Sequence, residues 1–232
     1  LLEIKEQIAF VTLNRPDKQN ALSYSMFKQL DEIAKKLKKN KSIRLVVIQG
    51  KGNHFCSGID VKHVFKQPSA LFKIMFKWLP GNANLAQRMS LNWHMLPVPV
   101  IALIEGNCFG GGLHIALGAD IRIAHSNSKL AIMEAKWGLC PDMGTGMILP
   151  SLMEYDKLLK LSMLASPIDA QQALQYNLIS HVTDNLEKAC DELIAKLINK
   201  SPDTLAAIKR VNQVPLLANK RQILASETWA QI

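Results

Sequence analysis

Short apolar runs rich in β-branched residues recur along the first half of the chain. Longer stretches, with apolar positions every three or four residues, lie between them. Over residues 1–14, Ile4, Ile8, Phe10, Val11 and Leu13 alternate loosely with polar neighbours, the pattern of one or two strands. Asn14-Arg15-Pro16-Asp17 breaks the run. Ser23 then caps a helix carrying Met26, Phe27, Leu30, Ile33, Ala34 and Leu37 at helical spacing, ended by Asn40–Ser42. Leu45-Val46-Val47-Ile48 is short and continuously apolar, as a strand covered on both faces would be. Strand, helix, strand in that order predicts an α/β layer fold with right-handed crossovers.

The most informative stretch is Pro97–Asp120. A strand over Val100–Ile104 runs into a turn at Gly106 and a cluster, Gly110-Gly111-Gly112, before an apolar helix over Leu113–Leu117 that ends near Gly118. Ile121–Ala124 reads as the next strand, and Lys129–Met133 as a further apolar run closed by Glu134. His54–Val64, just beyond the Leu45–Ile48 strand, is a second glycine turn, built around Gly58. The region Phe65–Trp93 is oily on more than one side and is interrupted at Pro80-Gly81-Asn82. Two helical pieces are expected there, as a lid or pocket wall or as ordinary packing and subunit contact. A helix starting near Asp142 or Thr145 would carry Met147–Leu152. From Ser151 the chain reads as helical to the end, in pieces: Tyr155–Leu164, Asp169–Tyr176 with Asp169 and Gln172 as a capping box, Leu186–Leu197, Pro202–Asn212 and Leu216–Trp229.

Composition narrows this little. The chain has 232 residues, 48% of them hydrophobic and 20% charged, enough for one sizeable core and against wholesale disorder. No apolar run reaches the ~18 residues of a membrane span, and LLEIKEQIAF does not read as a signal peptide. Cys56, Cys108, Cys140 and Cys190 show neither a C-x-x-C pair nor zinc spacing, so reduced thiols in the cytoplasm are expected, with no metal. Lys and Arg number 28 against 19 Asp and Glu, a formal charge of +9 that favours an anionic partner. Aromatic residues are 6% and no recognition motif accompanies the basic ones, which argues against nucleic acid. A soluble phosphorylated cofactor fits equally well.

Two strand-to-turn glycine sites can each turn one backbone N–H toward a single oxygen, and two such donors make an oxyanion hole. The candidate donors are the amides of Ile59 and Gly111. A thioester carbonyl that develops into an enolate would be a suitable target, needing one well-placed base. Glu134 is the candidate base: it lies among Ile132, Met133 and Trp137, where partial burial would raise its pKa, though a strand-end Glu is often merely solvated or salt-bridged. Asp142 is a second acid or a helix N-cap. His114 is a polar pocket residue or proton carrier, and so a further catalytic candidate, or a packed core histidine. Asp60 braces the Gly58 turn, and Cys56 and Cys108 fill core space.

These motifs resemble the crotonase superfamily, the enoyl-CoA hydratase/isomerase family. The resemblance rests on Asn14-Arg15-Pro16 with Asn20-Ala21-Leu22, His54-Phe55-Cys56-Ser57-Gly58-Ile59-Asp60, Pro99-Val100-Ile101-Ala102 with Gly106 and Gly110–Gly112, Ala119-Asp120-Ile121-Arg122, and Glu134 with Gly138 and Pro141. It implies an α/β fold, a crotonase-like spiral of β-β-α units with a helical C-terminal region. Residues 1–182 would form the core with its CoA-thioester site, and 183–232 a helical region covering the site or joining a homotrimer or dimer of trimers. It implies an oxyanion hole at Ile59 and Gly111, and CoA, bound only as part of the substrate, held by Ala21, Leu22, Cys56, Ser57 and Gly58. Phe65–Trp93 would line or cap the acyl tunnel. Hydratases of the family carry two glutamates; the second falls on Glu134 and the first on His114. Members that shift a double bond work with one glutamate at the position of Glu134. Dienoyl-CoA isomerases pair it with an aspartate at the position of Asp142. The resemblance therefore implies an enoyl-CoA isomerase, with a hydratase or lyase using an altered acid, or a non-catalytic acyl-CoA-binding or assembly member, as the alternatives.

Overall fold

The computed structural model describes residues 1–64, 68–79 and 81–217. In chain order the elements are β1 (Leu2–Lys5), β2 (Ile8–Leu13), α1 (Tyr24–Lys39), β3 (Leu45–Gly50), α2 (Val61–Val64), α3 (Pro68–Met75), α4 (Leu85–His94), β4 (Val100–Ile104), β5 (Asn107–Phe109) and α5 (Gly111–Leu117). There follow β6 (Ile121–His125), β7 (Lys129–Ala131), α6 (Leu149–Leu152), α7 (Tyr155–Leu164), β8 (Ile168–Asp169), α8 (Ala170–Gln175), β9 (His181–Thr183), α9 (Leu186–Ile198) and α10 (Pro202–Leu217). Six strands form one sheet in the order β1-β2-β3-β4-β6-β9, and β5-β7-β8 form a second. Only β1 and β2 pair antiparallel in the larger sheet; the rest run parallel. Each parallel step needs a crossover. After β4 that crossover is β5 then α5, and after β6 it begins with β7 and ends with α8. Isolated bridges pair Leu22 with Ile59 and Cys56 with Cys108, so earlier turns of the chain also enter the second layer. The architecture is the expected α/β spiral of β-β-α units with a helical C-terminal region.

Burial on both faces explains why the strands read as unbroken apolar runs. Val46 and Ile48 of β3, with Val100, Ala102 and Ile104 of β4, enter the main core beside α1, α4 and α5. Leu45 and Val47, with Ile101 and Ile123, point the other way into a smaller cluster closed by Leu186, Leu193, Ile194 and Leu197 of α9. A one-residue slip of β3 would exchange these two sets. Ser23 caps α1 through the Met26 amide, as expected. Asn84 and Gln87 form a capping box on α4 that the sequence reading missed. Asp31, buried on α1, accepts from Lys35, Arg88 and Asn92, which locks α1 to α4.

Four expectations need correction. The chain after Ser151 is not all helix: β8 and β9 complete the two sheets, short strands whose length gives periodicity nothing to act on. Of the two starts expected for the next helix, Asp142 or Thr145, the chain uses Thr145, but as a 3-10 turn over Thr145–Met147 with Gly144 at its N-cap position, and α6 follows only at Leu149. Glu134 opens a 3-10 turn, Glu134–Trp137, rather than ending a strand, because β7 stops at Ala131. The helix expected to stop at Asn212 continues to Leu217; the remainder of the expected Leu216–Trp229 helix, like Phe65–Gln67 and Pro80, lies outside the described residues. No described helix is long and apolar enough to cross a membrane.

Lys209 fastens α10 to the core. Its ammonium donates to Asp120 Oδ2 at 2.7 Å and to the carbonyls of Val98 and Trp93 at 3.1 and 3.4 Å. Burial pushes both partners toward neutrality, Asp120 up and Lys209 down, and the ion pair offsets part of that cost. Asp120 also accepts from the Val100 amide at the start of β4. Lys209→Met should therefore lower unfolding free energy by about 3 kcal/mol, since it strands a buried carboxylate. The double change with Asp120→Asn should cost less than the sum of the single ones. Urea titrations of the four proteins measure this.

Candidate active site

Four loops at the carboxyl ends of parallel strands converge here. After β3 the chain passes Gly50 and returns through residues 55–56, where Phe55 N–H donates to Glu105 O and Cys56 N–H to Asn107 O, while Phe109 N–H donates back to Cys56 O. This pairing sets the Gly58 turn against the start of α5. Gly58 has φ +102°, a conformation that side chains rarely tolerate; a Cβ there would lie 3.2 Å from Phe109 O and 3.8 Å from Gly111 N. A Cβ on Gly111 would meet Ile59 Cγ1 at 3.1 Å, Leu22 Cδ1 at 3.0 Å and Met143 Sδ at 3.3 Å. Ile59 and Gly111 are thus neighbours. Among the described residues, neither amide donates to a backbone acceptor; for Gly111 this is the ordinary state of the first residue of a helix. The next glycine serves close packing instead: a Cβ on Gly112 would stand 2.5 Å from that of Cys56, so α5 rides directly on the Cys56 backbone and thiol.

The loop after β2 is zipped onto the Gly58 turn. Leu22 N–H donates to Gly58 O, Asp60 N–H to Leu22 O and Ser57 N–H to Gln19 O. Asn20, fully buried, holds the loop through the carbonyls of Lys51 and His54. Asp60 braces it as expected, pairing with Arg15 at 2.8 Å. Of the residues expected to hold CoA, Leu22 and Cys56 are closed to solvent, while Ala21 and Ser57 are half-buried and able to touch a ligand. Burial pushes the Cys56 thiol up to about 12, so it is no nucleophile.

The fourth loop, after β6 and β7, delivers Glu134. Gly110 N–H donates to Ala131 O at 2.9 Å, which pins this loop to the glycine cluster. A Cβ on Gly110 would lie 3.7 Å from Glu134 Oε1. His114, one turn into α5 and wholly buried, meets that same oxygen through Nε2 at 2.9 Å. Its Nδ1 lies 2.8 Å from Thr145 Oγ1, also buried. An ionised carboxylate only accepts, so Nε2 carries the hydrogen. Glu134 Oε2 is buried with no hydrogen-bond partner. Asp142 is partly buried on the same loop, beside Met143, whose sulfur faces Gly111 and whose carbonyl accepts from Ser90.

Two expectations change at this point. Glu134 is buried as expected, and burial does raise its carboxyl, but the charge and hydrogen bond of His114 outweigh it and hold the carboxyl below its ordinary 4.5. His114 is packed in the core, with no exposed surface, and is hydrogen-bonded there to Glu134 and Thr145. Thr145 was missed as a member of the cluster. A lone Thr eleven residues beyond Glu134 carries no sequence signal, because only the fold brings it to His114.

The model of the enoyl-CoA hydratase/isomerase family matches residues 3–229. The chain belongs to this family. Among its relatives are the (E)-benzylidenesuccinyl-CoA hydratase of Thauera aromatica, 31% identical over 212 residues (90% of this chain and 80% of that one), and the mouse mitochondrial Delta(3,5)-Delta(2,4)-dienoyl-CoA isomerase, 32% identical over 206 residues (85% and 63%). A Bacillus halodurans enoyl-CoA hydratase structure superposes with TM-score 0.88 at 23% identity, covering 100% of this chain and 92% of that one, a likeness of fold. A Thermobifida fusca structure in complex with CoA gives 0.82 at 28% identity, covering 99% and 91%. Family membership brings acyl-CoA chemistry of the hydratase/isomerase type to the chain.

The depressed carboxyl has a consequence for stability. A Glu whose folded pKa lies below the unfolded one adds stability that is complete above the unfolded value and lost as pH falls through the folded one. Glu134→Gln should therefore destabilise the protein at pH 7, and the gap to wild type should close below about pH 4.3. Thermal melts of both proteins across pH 3–8 follow it.

Proposed function

We propose that this protein is an enoyl-CoA isomerase that moves a double bond by proton transfer through Glu134. The observation that carries this reading is the pairing of Glu134 Oε1 with His114 Nε2–H at the position where a hydratase would present a second glutamate. One carboxylate oxygen is engaged, and one, Oε2, is left to handle a proton. In the proposed reaction a 3-enoyl-CoA binds with its thioester oxygen accepting from the amides of Ile59 and Gly111. Oε2 takes a proton from C2, and the electron pair of that C–H bond delocalises onto the thioester oxygen. The same proton is then delivered to C4, the charge returns from oxygen, and the double bond lies between C2 and C3. Each amide donor is worth about 3 kcal/mol to such an enolate. The low pKa of Glu134 keeps it ionised, and therefore a base, at neutral pH.

Syn-hydration asks for more: a base to activate water and an acid to protonate C2 in the same turnover. His114 is committed to Oε1 and Thr145, which leaves the second task to Asp142. In this proposal Ala21 and Ser57 meet the CoA moiety, while Leu22, Cys56 and Gly58 shape its groove. Asp142 serves as a second acid for substrates of extended conjugation. The chain works in the cytoplasm as a homotrimer or dimer of trimers, with 183–232 joining subunits or covering the site. The hydratase or lyase reading is favoured by the Thauera relative. The non-catalytic reading is disfavoured by a glutamate held ready in a buried hydrogen-bonded cluster.

The deciding measurement is spectrophotometric, with 3-enoyl-CoA and 2-enoyl-CoA as substrates. Wild type should convert the 3-enoyl to the 2-enoyl ester, and Glu134→Gln should lose about 10³-fold in kcat. Asp142→Asn should leave mono-unsaturated substrates within about tenfold. Formation of 3-hydroxyacyl-CoA from the 2-enoyl ester without double-bond migration would sink the isomerase reading. Binding of CoA esters with no turnover would establish the non-catalytic one. Light scattering on the purified chain reads the mass of one, three or six copies.

A further inference from the structure

The cluster around Glu134 has a third member whose placement is too constrained to be incidental. Thr145 opens the 3-10 turn Thr145–Met147, and that turn is clamped against α4 from two sides. Ser90 donates to the carbonyl of Met143, and a Cβ on Gly144 would stand 2.7 Å from Gln87 O, so the backbone before Thr145 lies directly on α4. The Thr145 hydroxyl is thereby delivered to His114 Nδ1 at 2.8 Å, with Thr145 1% exposed and His114 fully enclosed. On the far side of the ring Nε2 reaches Glu134 Oε1. The ring is held at both nitrogens, by a carboxylate and by a hydroxyl.

These two partners differ in what they accept. The carboxylate demands a proton on Nε2. A hydroxyl both donates and accepts and turns to suit: it donates to Nδ1 of the neutral ring and accepts from Nδ1–H of the imidazolium. We infer that Thr145 is a positioning residue that holds the His114 ring with Nε2–H on Glu134 Oε1 in both charge states of the ring, so that Oε2 remains the one oxygen that carries the substrate's proton. Thr145 acts through its hydrogen bond to His114. A group that could only donate or only accept would leave a buried Nδ1 without its hydrogen bond in one state, and an unpartnered buried polar atom is what closed sites avoid. The inference rests on Glu134 being the proton carrier.

The test uses the full chain with ¹⁵N-labelled histidine and the variants Thr145→Val and Thr145→Ser. In wild type, Nε2 of His114 should carry a proton and Nδ1 should resonate as a hydrogen-bonded nitrogen. In Thr145→Val, Nδ1 should shift to an unbonded position, and kcat should fall about tenfold. KM and the affinity for a saturated acyl-CoA should stay within about twofold, because uniform binding is untouched. Thr145→Ser should restore both signals. An Nδ1–H tautomer in wild type overturns the inference without any variant, so it does not depend on Thr145→Val folding. Unchanged Nδ1 resonance or unchanged kcat in a folded Thr145→Val overturns it too. If wild type turns over no enoyl-CoA, the isomerase reading fails, while the ring resonances still report on the Thr145 contact.

Discussion

A parallel sheet covered on both faces leaves polar chemistry only one place to go. β2, β3, β4 and β6 bury Val11, Val46, Ile101 and Ile123 in two apolar layers, and neither face has room for an ionisable side chain without a partner. Every parallel step also forces the chain to leave the sheet at a strand's carboxyl end. The loops that carry Leu22, Ile59, Gly111 and Glu134 are the exits of β2, β3, β4 and β6 in turn, and adjacent strands make adjacent exits. Ligands of open α/β sheets collect at that end for the same reason. The second layer then draws the exits together through backbone pairing, Cys56 with Cys108 and Leu22 with Ile59, which costs no side chain and leaves glycine positions free to face inward.

Within that enclosure electrostatics runs against the first expectation from burial. Desolvation alone would favour a protonated Glu134, a carboxyl suited to giving a proton. The imidazole of His114 reverses the balance and yields a carboxylate suited to taking one. An α-proton of a thioester is weakly acidic, so a weakened base would be a poor choice on its own. It becomes workable where two amide donors stabilise the enolate, because the oxygen side of the reaction then carries more of the barrier. In the proposed reaction the two halves of the site are complementary in this sense: a base that is easily ionised and an anion hole that makes the proton easier to lose.

Much of this was legible in the residues. The β-branched runs marked β3 and β4 because continuous burial leaves no polar position to confuse the reading, and the glycines at 58 and 110–112 marked the turns because their backbones need what other residues resist. Glu134 was found by its apolar company. What escaped was whatever depends on contacts distant in sequence. β8 and β9 are too short to show a period and exist only because an edge was waiting for them. Asp142 followed a proline, as many helix caps do, yet the chain after it turns on Gly144 against α4, and Gly144 rather than Asp142 takes the N-cap position of the 3-10 turn at Thr145. The direction of the Glu134 pKa depended on a histidine twenty residues earlier, and Thr145 on a partner thirty-one residues away. Local propensity cannot see such pairs.

The contact of Gly112 with Cys56 fixes more than a helix position. α5 can approach the Gly58 turn only as closely as a missing side chain on one element and a small one on the other allow, and the gap between the amides of Ile59 and Gly111 follows from that approach. Positions 56 and 112 therefore form a single dimensional standard for the site. Bulk added at one of them must be removed at the other if α5 is to keep its distance from the Gly58 turn, so the width of the site is set by the sum of two side chains rather than by either alone.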